Sequence, residues 1–261
     1  MNPTPSDVAT PFRIGSVPYL NAAPLTHGLG DGLVLLPPSR LAVELHAGRL
    51  DAALLSITEA LFSPEHEILD GIGILSRGPV FSVGVAHRLP LGQTRRIHLD
   101  PSSCTSVNLL RVLLAARGFS PELVPLQSHA DATRVDAALL IGNPAIAFRR
   151  ERHPHAWWDF GEAWDRLEAK PFVYAAWVLR KNSPPALRHQ LVAAAAAGQR
   201  RLEDIIREAD DYDEPFRRAY LGGHIQYDLD ASARSGVERF AERLRSVTDR
   251  TVYRPRFVSA G

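Results

Sequence analysis

Two short stretches hold the side chains whose types and spacing could do chemistry. In Val17-Pro18-Tyr19-Leu20-Asn21-Ala22-Ala23-Pro24-Leu25, a strand end, a proline-stiffened turn and a helix start follow one another. That arrangement brings an amide side chain and free backbone N–H groups to one point, which suits a ligand carboxylate or hydroxyl. The alternative is that Asn21 serves only as the N-cap of a helix over residues 22–27. The second stretch is Asp100-Pro101-Ser102-Ser103-Cys104-Thr105-Ser106, between a strand at 97–99 and an apolar helix over 107–116. It carries more hydroxyls than one cap needs, and the helix dipole favours negative charge there, so it reads as an anion-binding loop. Capping by a single Ser or Thr is the alternative.

Other chemistries find little support. Cys104 is the only cysteine, and no histidine nearby in sequence offers the basic partner that a nucleophilic thiol needs. His153 and His155 flank Pro154, but no third metal ligand accompanies them. The two lysines, Lys170 and Lys181, lie outside any Gly-rich phosphate loop, and neither a Gly-x-Ser-x-Gly elbow nor a dinucleotide glycine fingerprint occurs. The inventory offers polar groups that hold a ligand and no obvious catalytic acid or base.

The elements that must position these groups follow from periodicity. Short apolar runs at 12–17, 33–36, 51–55, 72–75, 80–86 and 97–99 read as strands, as does the strongly apolar run 172–179. Ser39 is expected to cap a helix whose Leu41 and Leu45 share one face, and a further helix opens at Ser56. From residue 183 the chain turns helical: a long helix to about 209, a short one at 216–221, and a last one from Asp230. Val237, Phe240, Ala241, Leu244 and Val247 form a stripe on that last helix. One internal echo links the halves: Leu50-Asp51-Ala52-Ala53-Leu54-Leu55-Ser56 against Val135-Asp136-Ala137-Ala138-Leu139-Leu140-Ile141-Gly142. Either the likeness is a coincidence of two Ala/Leu-rich strands, or the chain has two similar α/β lobes, each delivering a buried strand to a ligand-facing edge. The expected division is 1–88 with 179–261 for the first lobe and 89–178 for the second. Crossings fall near 86–95 and 175–182, and the helical tail packs on the lobe that contains Tyr19.

Composition narrows the partners. With 261 residues, 45% hydrophobic and 23% charged, the chain has ordinary globular material for one large core or two modest ones. Thirty basic and 29 acidic residues leave a formal charge of +1, too little to steer nucleic acid or an anionic membrane. No apolar run reaches membrane-spanning length, and residues 1–12 lack the basic-then-apolar pattern of a secretory signal, so a cytoplasmic location is expected.

The motifs resemble a known family. Arg13-Ile14-Gly15-Ser16-Val17-Pro18-Tyr19-Leu20-Asn21 with Pro24-Leu25 is similar to the opening signature of the chorismate dehydratases of the futalosine route to menaquinone. The likeness continues through 51–59, Val80-Phe81-Ser82-Val83, 103–109 and 136–143. It ends in Asp159-Phe160-Gly161-Glu162-Ala163-Trp164 and Pro171-Phe172-Val173-Tyr174-Ala175 with Trp177, so it spans about residues 12 to 180. Departures are Asn143, where the family often has Asp, and Glu168-Ala169, where it often has Thr-Gly.

The resemblance implies an α/β, two-lobed fold of the type 2 periplasmic-binding-protein kind, with a cleft between the lobes. It implies a cytoplasmic lyase that dehydrates chorismate to 3-[(1-carboxyvinyl)oxy]benzoate with no metal or organic cofactor, as a monomer or homodimer. Asn21 is then the catalytic residue, holding a carboxylate or the departing hydroxyl. Tyr19, Ser56, Ser82, Ser103, Thr105, Ser106 and Asn143 bind substrate, and one of the substrate's own carboxylates can act as base. The sister dihydroxynaphthoate synthase opens with a Ser-Pro-Cys-Pro-Asn-Asp type of motif, which is absent. A non-catalytic binding protein for a small carboxylated ligand shares the architecture and is the main alternative, disfavoured by the lack of a secretory pattern. A ligand-sensing regulator is disfavoured by the lack of a helix-turn-helix segment.

Overall fold

The computed structural model describes residues 12–100 and 104–261. The first strand, β1 (Ile14–Ser16), is buried at every position, which places it inside a sheet. A 3-10 turn (Leu20–Ala22) leads into α1 (Ala23–Thr26), where Pro24 sits in the first turn and its missing N–H costs nothing. Edge strand β2 (Leu33–Leu35) and helix α2 (Pro38–His46) follow. Ser39 does not cap α2: the helix begins one residue earlier, on Pro38, so Ser39 lies in its first turn. Leu41 and Leu45 form the buried face of α2 as their spacing requires. Strand β3 (Ala52–Ser56) runs directly into α3 (Ile57–Leu61), and β4 (His66–Ser76) continues for 11 residues.

The middle of the chain builds β5 (Val83–His87), β6 (Arg96–Leu99), α4 (Thr105–Ala116), β7 (Glu122–Pro125), β8 (Ala137–Ile141), α5 (Gly142–Arg150), β9 (Ala156–Asp159) and α6 (Phe160–Glu168). Strand β10 (Phe172–Arg180) precedes α7 (Pro185–Arg200), α8 (Leu202–Glu208) and α9 (Glu214–Ala219). A π-type turn (Tyr220–His224), β11 (Gln226–Leu229), α10 (Ala231–Arg245) and β12 (Phe257–Val258) complete it.

Two sheets organise these elements. The first has the order β11-β4-β10-β3-β1-β2, with β12 also paired to β4; the second has the order β7-β6-β8-β5-β9. Both are mixed: β10 runs antiparallel to β3 and β4, and β5 antiparallel to β8 and β9. The chain changes sheets twice, as expected, but earlier each time. β5 already belongs to the second sheet, and all of β10 to the first. The crossings therefore fall within 77–82 and 160–171, where the sequence had suggested 86–95 and 175–182. An alternating apolar strand shows that it is half-buried but not which sheet it joins; Arg77-Gly78-Pro79, with Gly78 at φ 79°, is the true break.

The internal echo is structural. In β3 and β8 alike the first four residues are buried and the fifth is half-buried, and a helix starts at once. Strand periodicity splits β8 between two clusters: Ala137 and Leu139 join the main core, Ala138 and Leu140 a smaller one with Phe148.

The helical tail packs on the first lobe. A Cβ added at Gly198 in α7 would stand 2.0 Å from the carbonyl oxygen of Pro24, so α7 crosses α1 with backbones in contact. Trp164 of α6, Phe172 of β10 and Phe240 of α10 pack edge to face, with ring centroids 5.0–6.0 Å apart. Asp230 caps α10 by accepting the Ala233 N–H at 2.8 Å. The long helix expected over 183–209 is broken at Arg201 into α7 and α8.

Candidate active site

The carboxyl ends of β1, β3 and β8 open onto one cleft of about 710 Å³, part of it open to solvent. Open α/β sheets place their ligands at this end of the strands. The segment after β1 contributes Tyr19 and Asn21, β3 contributes Ser56, the β4–β5 link contributes Val80 and Ser82, and β8 contributes Ile141 with Gly142. The start of α4 adds Cys104, Thr105 and Ser106, while Tyr174 and Ile225 close the wall. Among the described residues, no Lys, Arg, His, Asp or Glu lines this cleft. No group of three or more His, Cys, Asp or Glu among them is placed to hold a metal ion.

Asn21 does not cap a helix. It lies inside the 3-10 turn, and neither that turn nor α1 has a side-chain cap. Its Nδ2 donates to the phenol oxygen of Tyr220 at 3.3 Å. Its Oδ1 is buried and has no hydrogen-bond partner among the described residues. Buried polar atoms are nearly always paired, so an orphaned one at the wall of a cleft marks a place for a ligand.

The Tyr220 hydroxyl in turn donates to Ser82 Oγ at 2.8 Å. Burial pushes the Tyr220 phenol well above its ordinary range, so it remains a neutral donor. Its ring stacks on Phe216 at 5.6 Å and an interplanar angle of 11°. Asn21, Tyr220 and Ser82 thus form one chain of hydrogen bonds along the cleft. The ring of Tyr19 lies over the start of α5, 3.6 Å from where a Cβ on Gly142 would stand.

The α4 start differs from the expected anion loop. Ser103 and Ser102 lie outside the described residues. Thr105 lines the cleft, but its hydroxyl is engaged within the protein. It donates to the Tyr174 carbonyl at 3.3 Å, accepts from Thr58 Oγ1 at 3.1 Å, and pairs closely with the Ser56 hydroxyl. Thr105 therefore ties α4 of the second lobe to β3, α3 and β10 of the first. What α4 still offers is its dipole and the Ser106 hydroxyl, since no side chain caps it.

Cys104 donates its thiol to Glu59 Oε1 at 3.0 Å. Burial first, and the Glu59 carboxylate second, push the thiol up to about 12. It stays protonated at neutral pH, which argues against a nucleophile. Asn143, expected to touch substrate, is not part of the lining; it stands one residue beyond Gly142, and its carbonyl accepts from the Tyr212 hydroxyl at 3.3 Å.

A family model described as menaquinone biosynthesis matches residues 12–246. The chain belongs to this menaquinone biosynthesis family. A chorismate dehydratase of Thermus thermophilus is 31% identical over 263 residues, covering 90% of this chain and 95% of that protein. The fold of this family member is shared more widely. A protein of Archaeoglobus fulgidus superposes with a TM-score of 0.72 at 16% identity, covering 90% of this chain and 97% of that one. An alkanesulfonate-binding protein of Xanthomonas axonopodis, bound to MOPS, gives 0.66 at 16% identity, covering 95% and 98%. The fold is therefore that of the periplasmic binding proteins, two lobes around a cleft.

For this menaquinone biosynthesis family member, the group that sequence reasoning missed is Tyr220. It stands in the helical tail, beyond the motif-bearing part of the chain, and nothing in its own neighbourhood sets it apart from a core tyrosine. The only local signal is Gly222-Gly223, which accompanies the π-type turn; such turns recur at functional sites.

Proposed function

We propose that the protein is a lyase that dehydrates chorismate to 3-[(1-carboxyvinyl)oxy]benzoate. The observation that carries this reading is the cleft itself: a largely apolar wall set with a few amide, hydroxyl and helix-start groups, and with no charged side chain among the described residues. Such a wall can hold and polarise a dianionic ligand, yet it offers no strong base. Chorismate fits, because it brings two carboxylates of its own. Its dehydration breaks one C–H and one C–O bond on neighbouring ring carbons, aromatises the ring and releases water.

In this reading one substrate carboxylate takes the proton. Asn21, whose Nδ2 keeps a second proton beyond the one given to Tyr220, donates to the departing hydroxyl, and Ser82, Ser106 and the α4 dipole hold a carboxylate. The protein's share of the catalysis is orientation and electrostatic stabilisation in a site that closure of the lobes dries. The enzyme acts in the cytoplasm as a monomer or homodimer; no helix among the described residues is long and apolar enough to cross a membrane.

The test is incubation of the chelator-treated protein with chorismate, followed by chromatography and mass measurement of the products. A product lighter than chorismate by one water is expected. Bound but unchanged chorismate would favour a non-catalytic binding protein instead.

A further inference from the structure

Two motifs far apart in sequence meet behind the cleft. Phe81 has φ 69°, and the Ser82 N–H donates to the Val80 carbonyl at 2.8 Å. A bond from residue i+2 back to residue i around a positive φ is the rarer, strained form of γ-turn. A bulky residue holds such a conformation only where its surroundings over-determine it, and such places cluster at functional sites.

The surroundings here grip Phe81 on three sides. Oδ2 of the buried Asp159 accepts the Phe81 N–H at 2.8 Å, and Oδ1 accepts the Val80 N–H at 3.0 Å. Arg149 Nη1 donates to the Phe81 carbonyl at 2.9 Å, and its guanidinium lies 3.7 Å from the centroid of the Phe81 ring. A Cβ at Gly161 would meet the Gly78 carbonyl oxygen at 2.3 Å, so only glycine lets α6 start this close to the turn. The residue that the turn presents is Ser82, whose carbonyl accepts the Gly142 N–H at 2.8 Å and whose hydroxyl accepts from Tyr220.

We propose that Asp159, with Arg149, is a positioning residue that holds Phe81 in this turn and thereby fixes the Ser82 hydroxyl in the cleft. The plainer role of Asp159 is to cap α6, by accepting the N–H groups of Gly161 at 2.9 Å and Glu162 at 3.1 Å. The two roles use different atoms. Oδ1 serves the cap and Val80, whereas Oδ2 serves Phe81 alone. An asparagine that keeps its oxygen at the Oδ1 position retains the cap and sets an N–H group against the Phe81 N–H.

This inference rests on the reading of Ser82 as a substrate anchor, so wild-type turnover of chorismate is measured first. Asp159→Asn is then expected to lower kcat/KM by roughly tenfold or more, chiefly through KM, with a cooperative melt retained. Glycine adopts positive φ without strain, so Phe81→Gly in the Asp159→Asn background is expected to restore most of the loss. A purely capping role would not respond to that second change. Should Asp159→Asn fail to fold, Arg149→Met, which releases the Phe81 carbonyl from outside the core, is read in the same way. An Asp159→Asn enzyme within threefold of the wild type, or a folded double variant with no recovery, overturns the proposal. If the wild type binds chorismate without converting it, the catalytic reading falls, and the same variants are compared by the calorimetric dissociation constant for chorismate. There the expected tenfold weakening and its rescue still decide the role of the turn.

Discussion

The Tyr220 hydroxyl donates to the Ser82 hydroxyl at 2.8 Å across 138 positions of sequence. The same phenol accepts from Asn21 Nδ2 at 3.3 Å. One residue of the C-terminal tail thus orients two groups of the cleft wall.

Tyr220→Phe keeps the ring and its stacking on Phe216 and deletes only this junction. The melting temperature should change little, because Asn21 and Ser82, the partners left behind, line a cleft partly open to solvent where water can take the place of the phenol, so the net loss is about 1 kcal/mol. Turnover should suffer more, with kcat/KM falling about tenfold as Asn21 and Ser82 lose their shared partner. Steady-state kinetics beside a thermal melt check both halves.

Thr105→Val is expected to act on stability before it acts on binding. The hydroxyl that it removes is shared with Ser56, Thr58 and the Tyr174 carbonyl. Leaving buried partners unpaired costs about 1–3 kcal/mol, so the denaturation midpoint should fall measurably. A large rise in KM with unchanged stability would instead make Thr105 a substrate anchor.

Asn143→Ala should leave KM for chorismate within about threefold, since a substitution outside the lining removes no ligand contact. Competitive binding assays or steady-state kinetics would show a greater loss if a closed form of the cleft brings Asn143 inward.

Cys104 should titrate late. Its thiol is held near 12 against an ordinary 9.0, by burial and by the Glu59 carboxylate. Alkylation of the native protein should therefore stay slow as pH rises from about 7 to about 9. Because the folded pKa lies above the unfolded one, the folded state holds the proton more tightly. The contribution to stability is full below pH 9.0 and is lost as pH climbs towards 12. Cys104→Ala should remove that alkaline loss in pH-dependent denaturation and leave turnover near wild type.

Much of this was legible in the residues. The repeated Asp-Ala-Ala-Leu-Leu run announced two strands with the same burial, because a short continuous apolar run reads as a strand covered on both faces. Tyr19, Asn21, Ser56, Ser82 and Ser106, all in motifs that stand out in the sequence, line one cleft. Less was legible where long-range pairing decides. Strand β5 looks the same in either sheet, so the crossings shifted. Asn21 follows a strand and a turn as a cap would, yet it lies inside a 3-10 turn and its amide turns to a tyrosine 199 positions away. Thr105 carries the right hydroxyl for an anion, but the first lobe takes it. Asp159 lay in a recognised motif, and only the tertiary structure shows that its carboxylate reaches back to Val80 and Phe81.

The most direct measurement compares the wild type with Asn21→Asp, both chelator-treated, in chorismate turnover. Aspartate preserves the size of the side chain and can accept from the Tyr220 hydroxyl in place of the lost N–H donation, but it sets a negative charge against the substrate carboxylates and the departing hydroxide. The wild type should convert chorismate to 3-[(1-carboxyvinyl)oxy]benzoate, and the variant should keep a cooperative melt, at some cost in stability for the buried charge, while turning over at least about a hundredfold more slowly. A wild type that returns chorismate unchanged would contradict the assigned reaction, and a fully active Asn21→Asp would contradict the role of the amide.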